Sequence, residues 1–120
     1  MYASGYGYKE IIKLLIKNNV KIDQKSRRNR TAFITASIYG HLEIIELLLQ
    51  QNVNVNTIDN LEKSSLIYAC EYNHYEVAEL LIENGADINL KEYHGRTALY
   101  YAKSSKNEKI IELLLQNGAK

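Results

Sequence analysis

The sequence predicts an all-α solenoid: helix-turn-helix units stacked in line, joined by short β-hairpin-like loops. Three helix pairs are complete and a truncated pair precedes them. Three observations predict this. Thr31, Ser64 and Thr97 share one register of a 33-residue period, and Ala36, Ala69 and Ala102 share another. The runs "HLEIIELLLQ" from His41, "HYEVAELLIE" from His74 and "NEKIIELLLQ" from Asn107 align without a gap, each with apolar residues at helical spacing. "YKEIIKLLIK" from Tyr8 falls in the same frame. Units this small cannot bury a hydrophobic face alone, so they must stack on one another.

The period divides the chain into a truncated repeat at 1–27, repeats at 28–60 and 61–93, and a last one at 94–120 that lacks its hairpin. Helix pairs are expected at 1–18, 31–50, 64–83 and 97–116. In the second copy Phe33, Ala36 and Ser37 share one side of a short helix, capped at its start by Thr31 and stopped by Gly40. Leu42, Ile45, Leu48 and Leu49 then form the stripe of a second helix, thickened by Ile44 and Leu47, with Glu43 and Glu46 left for solvent. Asn52 suits a left-handed cap, and Val53 and Val55 turn inward after it. The third copy ends its helix at Asn84-Gly85 with Ala86 and Ile88 inward, and the last ends at Asn117-Gly118-Ala119. In the first, Gly5 and Gly7 weaken the opening helix.

Composition bounds the function. Nearly half of the 120 residues are hydrophobic and a quarter are charged, which fits a packed domain. There is no proline and one cysteine, Cys70, so neither an internal disulfide nor a cysteine-based zinc cluster is available. No apolar run is long enough to span a bilayer, and no secretory or transit signal opens the sequence. The expectation is a cytoplasmic or nuclear protein with no membrane partner. Net charge is +1, unevenly spread: basic ends flank an acidic middle.

This organisation resembles the ankyrin repeat. The residues that carry the likeness are "TAFITA", "SSLIYA" and "TALYYA" at 31, 64 and 97, then "GHLEIIELLL", "NHYEVAELLI" and "KNEKIIELLL" at 40, 73 and 106, then "NVNVN" and "GADIN" at 52 and 85. The departures are specific. The family's proline is replaced by Ala32, Ser65 and Ala98, and its histidine by Ile34, Ile67 and Tyr100. Loss of the threonine–histidine network implies weaker anchoring of each loop, with Ile34 and Ile67 offering apolar packing instead. The loop glycine survives only as Gly95. Asn29 tolerates a left-handed backbone, whereas Glu62 does so at a cost, so the loop at 60–63 is expected to be distorted or mobile.

No catalytic constellation emerges. His41 and His74 lie one repeat apart, about 10 Å by helix stacking, too far to share a metal. The resemblance gives them the turn between helices to hold. Ser64-Ser65 and Ser104-Ser105 have no base beside them, Cys70 reads as a small core hydrophobe, and Glu71, Glu76, Glu79 and Glu83 read as surface acids. The chain is read as no enzyme, with no cofactor and no metal.

The resemblance implies binding through loop tips and the concave side of the first helices. The matching positions are Arg27, Arg28, Arg30, Ile38, Tyr39, Ile58, Leu61, Lys63, Glu71, Tyr72, Tyr93 and Arg96. Tyr6, Tyr39 and Tyr72 are expected to form a row, and Arg30, Lys63 and Arg96 a parallel basic row. Tyr68 and Tyr101 are expected to stack between repeats. The expected partner is a protein or peptide with acids opposite the loops and apolar groups opposite the tyrosines. Nucleic acid, held by the 25–30 basic loop and the tyrosines, ranks below it, because the middle of the array is acidic. The third reading is a self-associating segment of a longer array. A monomer is the default, with an end-to-end dimer as the variant.

Overall fold

The fold follows from six short helices that alternate between two layers. A computed structural model of the chain describes residue 10 and residues 30–120. The helix pair expected at 1–18, together with Arg27, Arg28 and Tyr6, lies outside the described residues. The described helices are α1 (Ala32–Tyr39), α2 (Leu42–Leu49), α3 (Ser65–Glu71), α4 (Tyr75–Glu83), α5 (Ala98–Ser104) and α6 (Glu108–Gln116). They fall within the three helix pairs expected from the period. Within each unit the two helices pack together. Between units α1, α3 and α5 stack as one layer, and α2, α4 and α6 as the other. No strand forms among the described residues; one antiparallel bridge, Ile58 to Ser64, marks a loop.

Helix starts obey local chemistry. The Thr31 hydroxyl accepts from the Ile34 amide at 3.2 Å, and the Ser64 hydroxyl from the Ile67 amide at 3.4 Å. Thr97 makes no such side-chain bond. Asn107 caps α6 by accepting from the Ile110 amide at 3.1 Å. The stacked layers bury one continuous core: Phe33, Ile44, Ile45 and Leu48 from the first described unit, Leu66, Ile67, Val77 and Leu81 from the second, Leu99, Ile110 and Leu114 from the third. Ala36, Ala69 and Ala102 are fully buried, where a larger side chain would push the inner helices apart. Val53, Val55, Ala86 and Ile88 pack against this core from the loops. Cys70 is fully buried and its thiol is pushed up to about 12 by burial alone, so it behaves as a core hydrophobe.

The turn between the helices of each unit needs a left-handed residue. Gly40, Asn73 and Lys106 fill that position with φ of 70°, 64° and 58°. The amide that follows closes the turn onto the alanine carbonyl: His41 to Ala36, His74 to Ala69 and Asn107 to Ala102. Glycine at the first of these is also a steric requirement, since a Cβ on Gly40 would sit 2.6 Å from the His74 ring.

The loop at 60–63 departs from the expectation. It is not distorted: the Asp59 amide donates to the Lys63 carbonyl and the Glu62 amide to the Asp59 carbonyl, as Glu92–Arg96 and Gly95–Glu92 do one repeat later. Glu62 takes the left-handed conformation of Gly95, φ 61° against 78°, because the Asp59 carboxylate holds both sides of the turn.

A left-handed non-glycine residue costs roughly 1–2 kcal/mol, partly offset by the extra freedom of glycine in the unfolded chain. Lys106→Gly is therefore expected to raise the unfolding free energy measured in urea by a net of about 0.5–1 kcal/mol. Gly40→Ala is expected to lower it by at least ~2 kcal/mol, from strain plus the clash with His74.

Candidate functional site

The face formed by the inner helices and the loop tips has a rigid floor. It is built on a carboxylate and a tyrosine that recur together. The Asp59 carboxylate accepts from the Leu61 amide at 2.9 Å, from the Lys63 amide at 3.1 Å and from the Tyr68 hydroxyl. One repeat on, Glu92 accepts from the His94 amide, from the Arg96 amide at 3.0 Å and from the Tyr101 hydroxyl at 2.7 Å. Each carboxylate is buried, closes its loop with one oxygen and ties it to the following helix with the other. Burial pushes Tyr68 up to about 12, reinforced by its bond to Asp59. Burial also favours the neutral form of Glu92, but the bonds from Arg96, Tyr101 and His94 outweigh it and hold the carboxyl below its usual range.

Cations join these clasps across repeats. Arg30 donates to the Tyr68 hydroxyl at 3.1 Å and to Asp59 at 3.4 Å, with its guanidinium 5.3 Å from the Tyr68 ring centre. Lys63 pairs with Glu71 at 2.9 Å and lies over two rings, Tyr68 at 5.1 Å and Tyr101 at 4.8 Å. The result is a column, Arg30–Tyr68–Lys63–Tyr101, running along the array. Desolvation weakens the charged form of both cations, but their partners outweigh it and raise both pKa values. Of the expected basic row, Arg30 and Lys63 are engaged inside the protein, because each reaches the tyrosine one repeat ahead. Arg96 alone of the three is exposed, with its guanidinium 4.8 Å from the Tyr100 ring centre.

Beside this column the tyrosines form a groove. Tyr39 is 53% exposed and Tyr72 is 49% exposed. With Ile38 and His74 they line a shallow pocket of about 450 Å³ between the ends of α1 and α3. The pocket wall is held in place by His74, whose Nε2 bonds the Ile38 carbonyl at 2.9 Å. Between the next two units the Ser105 hydroxyl donates to the Glu71 carbonyl at 3.2 Å, a different residue meeting the corresponding carbonyl. The Tyr72 ring lies parallel to Tyr68 at 6.4 Å, so groove and column are contiguous. At the loop tips Ile58, Leu61 and Tyr93 are exposed, and the Tyr93 amide donates to the Leu61 carbonyl, joining neighbouring tips. Arg30, Asp59, Asn60 and Leu61 enclose a second hollow of about 260 Å³. No helix among the described residues is long and apolar enough to cross a membrane, and no group of three or more of their His, Cys, Asp and Glu residues is placed to hold a metal.

The family model for ankyrin repeats in three copies matches residues 1–92, and one for many copies matches residues 66–119. The chain belongs to the ankyrin-repeat family. The fold is that family's protein-interaction scaffold, a solenoid of stacked helix pairs. No curated protein matches the chain.

Seen as an ankyrin array, the molecule brings Ile38, Tyr39 and Tyr72 together, and places Ile58, Leu61, Tyr93 and Arg96 at the loop tips. Glu71 is half-buried and paired with Lys63. The residues missed by sequence reasoning are Asp59 and Glu92. Their signal was present: an acid nine positions before a tyrosine, twice, at the repeat period. This clasp supplies the loop anchoring that the absent threonine–histidine network would have given. Ile34 and Ile67, at the histidine position, are fully buried, whereas Tyr100 is exposed.

The depressed pKa of Glu92 gives this clasp a pH signature. The unfolded carboxyl takes up its proton near pH 4.3, before the folded one does. The stabilisation is therefore present at neutral pH, declines as pH falls below about 4.5 and is lost through the lower folded value. Glu92→Gln is expected to flatten that part of the acid limb in urea melts between pH 7 and 3. Tyr101→Phe, which strands a buried carboxylate oxygen, is expected to cost about 1–3 kcal/mol at pH 7.

Proposed function

We infer that this protein is an interaction module that binds a protein or peptide partner on the concave face of its inner helices and loop tips, and that it performs no catalysis. The observation that carries this reading is the groove of Ile38, Tyr39, Tyr72 and His74. Exposed tyrosines on a rigid floor offer apolar area and a hydroxyl with only two rotatable side-chain torsions to order, which makes them effective interface anchors. The floor is immobilised by the carboxylate clasps, so little further order need be imposed on binding. The array itself argues in the same direction: among the described residues, short helices and closed loops bring no nucleophile, base and electrophile to one point. Cytoplasm or nucleus is the proposed compartment, supported by the sole, buried and unreactive cysteine.

The test is capture from a lysate of the source cells by the native chain and by a Tyr39→Ala, Tyr72→Ala, Arg96→Ala triple variant. Arg96 is the charged position chosen because its side chain is exposed, whereas Arg30 hydrogen-bonds both Tyr68 and Asp59 inside the protein. Circular dichroism and urea melts are expected to match within ~1 kcal/mol, since all three side chains are exposed. A protein retained by the native chain and lost by the variant supports the concave face. Equal retention would move the interface to the outer helices, and nuclease-sensitive nucleic acid in place of protein would overturn the reading.

A further inference from the structure

We propose that the partner is an acidic segment with an apolar anchor, bound in one direction across the face; this rests on the concave-face reading above. Charge is sorted between the two layers. The outer helices α2, α4 and α6 carry Glu43, Glu46, Glu76, Glu79, Glu83, Glu108 and Glu112 against a single base, Lys109, which itself lies 4.5 Å from the Tyr75 ring centre. The inner helices carry only Glu71, paired with Lys63, and the exposed Lys103. In the described loops Asp59 and Glu92 are buried within their clasps; the exposed acids are Glu62 at one tip and Asp87 near the start of the next loop, and the exposed bases are Lys91 and Arg96. An acidic segment is therefore repelled by the outer face and attracted to the inner one, and a basic segment the reverse.

The clasps also set the polarity. Because Arg30 and Lys63 are engaged within the protein, the exposed positive charge of this face lies, among the described residues, at Lys91 at the end of the second described unit and at Arg96 and Lys103 in the third. The apolar groove of Ile38, Tyr39 and Tyr72 lies between the first and second. With inner helices about 8–10 Å apart and groove and loop at opposite helix ends, the two are separated by about 15–20 Å. About five or six residues of extended chain span that distance. The bound segment thus places an aliphatic or aromatic side chain between Tyr39 and Tyr72. Its carboxylates lie five or six residues away, against Arg96 and Lys91, where a planar guanidinium can take a carboxylate in bidentate fashion. Between the two ends it crosses the closed Tyr68–Lys63–Tyr101 floor.

The test uses a library of random 16-residue peptides selected on the immobilised native chain. The affinity of the best synthetic peptide is then measured by fluorescence anisotropy on three proteins: native, Lys91→Glu with Arg96→Glu, and Tyr39→Ala with Tyr72→Ala. All four positions have exposed side chains, and matching urea midpoints check that the variants fold. The expected peptides carry two or more Asp or Glu five or six residues from a Leu, Phe, Trp or Tyr. Charge reversal is expected to weaken binding tenfold or more, and loss of the tyrosines to weaken it as much. Neutral or basic peptides, a smaller loss on charge reversal, or no enrichment at all would overturn the acidic partner. If those peptides nevertheless depend on Tyr39 and Tyr72, the concave-face reading survives. A peptide indifferent to both variants sinks both.

Discussion

Each described repeat junction depends on a buried carboxylate that closes a loop and grips the helix after it. Asp59 and Glu92 do in one side chain what a longer loop would need several residues to do. They satisfy backbone amides on both sides of the turn and receive a tyrosine hydroxyl from the next helix. A buried carboxylate is tolerable only when its lone pairs are occupied, and here Glu92 has three donors and Asp59 has four, Arg30 being the fourth. The left-handed Glu62, the exposure of Leu61 and Tyr93 at the tips, and the alignment of inner helices all follow from that closure. The apolar core supplies the driving force for stacking. The clasp decides where the loops stand once stacking has occurred.

That division of labour explains why the functional face has two textures. The column of Arg30, Tyr68, Lys63 and Tyr101 is polar in composition yet offers little to a partner, since its groups already satisfy one another. The groove beside it is apolar and open because Tyr39 and Tyr72, at the ends of their helices, each leave about half of their surface exposed. A surface assembled from a saturated floor and an unsaturated groove discriminates by shape and by the few charges that remain outside.

The helix pairs were legible because the 33-residue period repeats apolar stripes, caps and turn residues in one frame; each copy confirms the others. Thr31, Gly40 and Asn52 act as their residue types predict. The candidate face was legible as positions and less so as chemistry. Tyr39 and Tyr72 could be placed from register alone, since their exposure depends on which side of a helix they occupy. The fate of Arg30 and Lys63 could not, because it depends on contacts 38 residues away in sequence, between side chains of adjacent units. The misjudged loop at 60–63 has the same origin. Glu62 on its own disfavours the left-handed backbone, and the tertiary grip of Asp59 overrides that preference.

Lys63 serves two repeats at once, its ammonium lying over Tyr68 in its own unit and over Tyr101 in the next. On the hairpin side Asn56 bonds Gly85 and Asp87, and Asn89 bonds Gly118 and Lys120, in the same forward-reaching manner. The module that duplication or recombination could move without loss is therefore not the 33-residue copy delimited by sequence similarity. It is at least a pair of adjacent copies, because Arg30 and Lys63 each reach a tyrosine 38 positions along, farther than any single 33-residue span. A seam placed at an apparent repeat boundary would therefore part each cation from the tyrosine ahead of it.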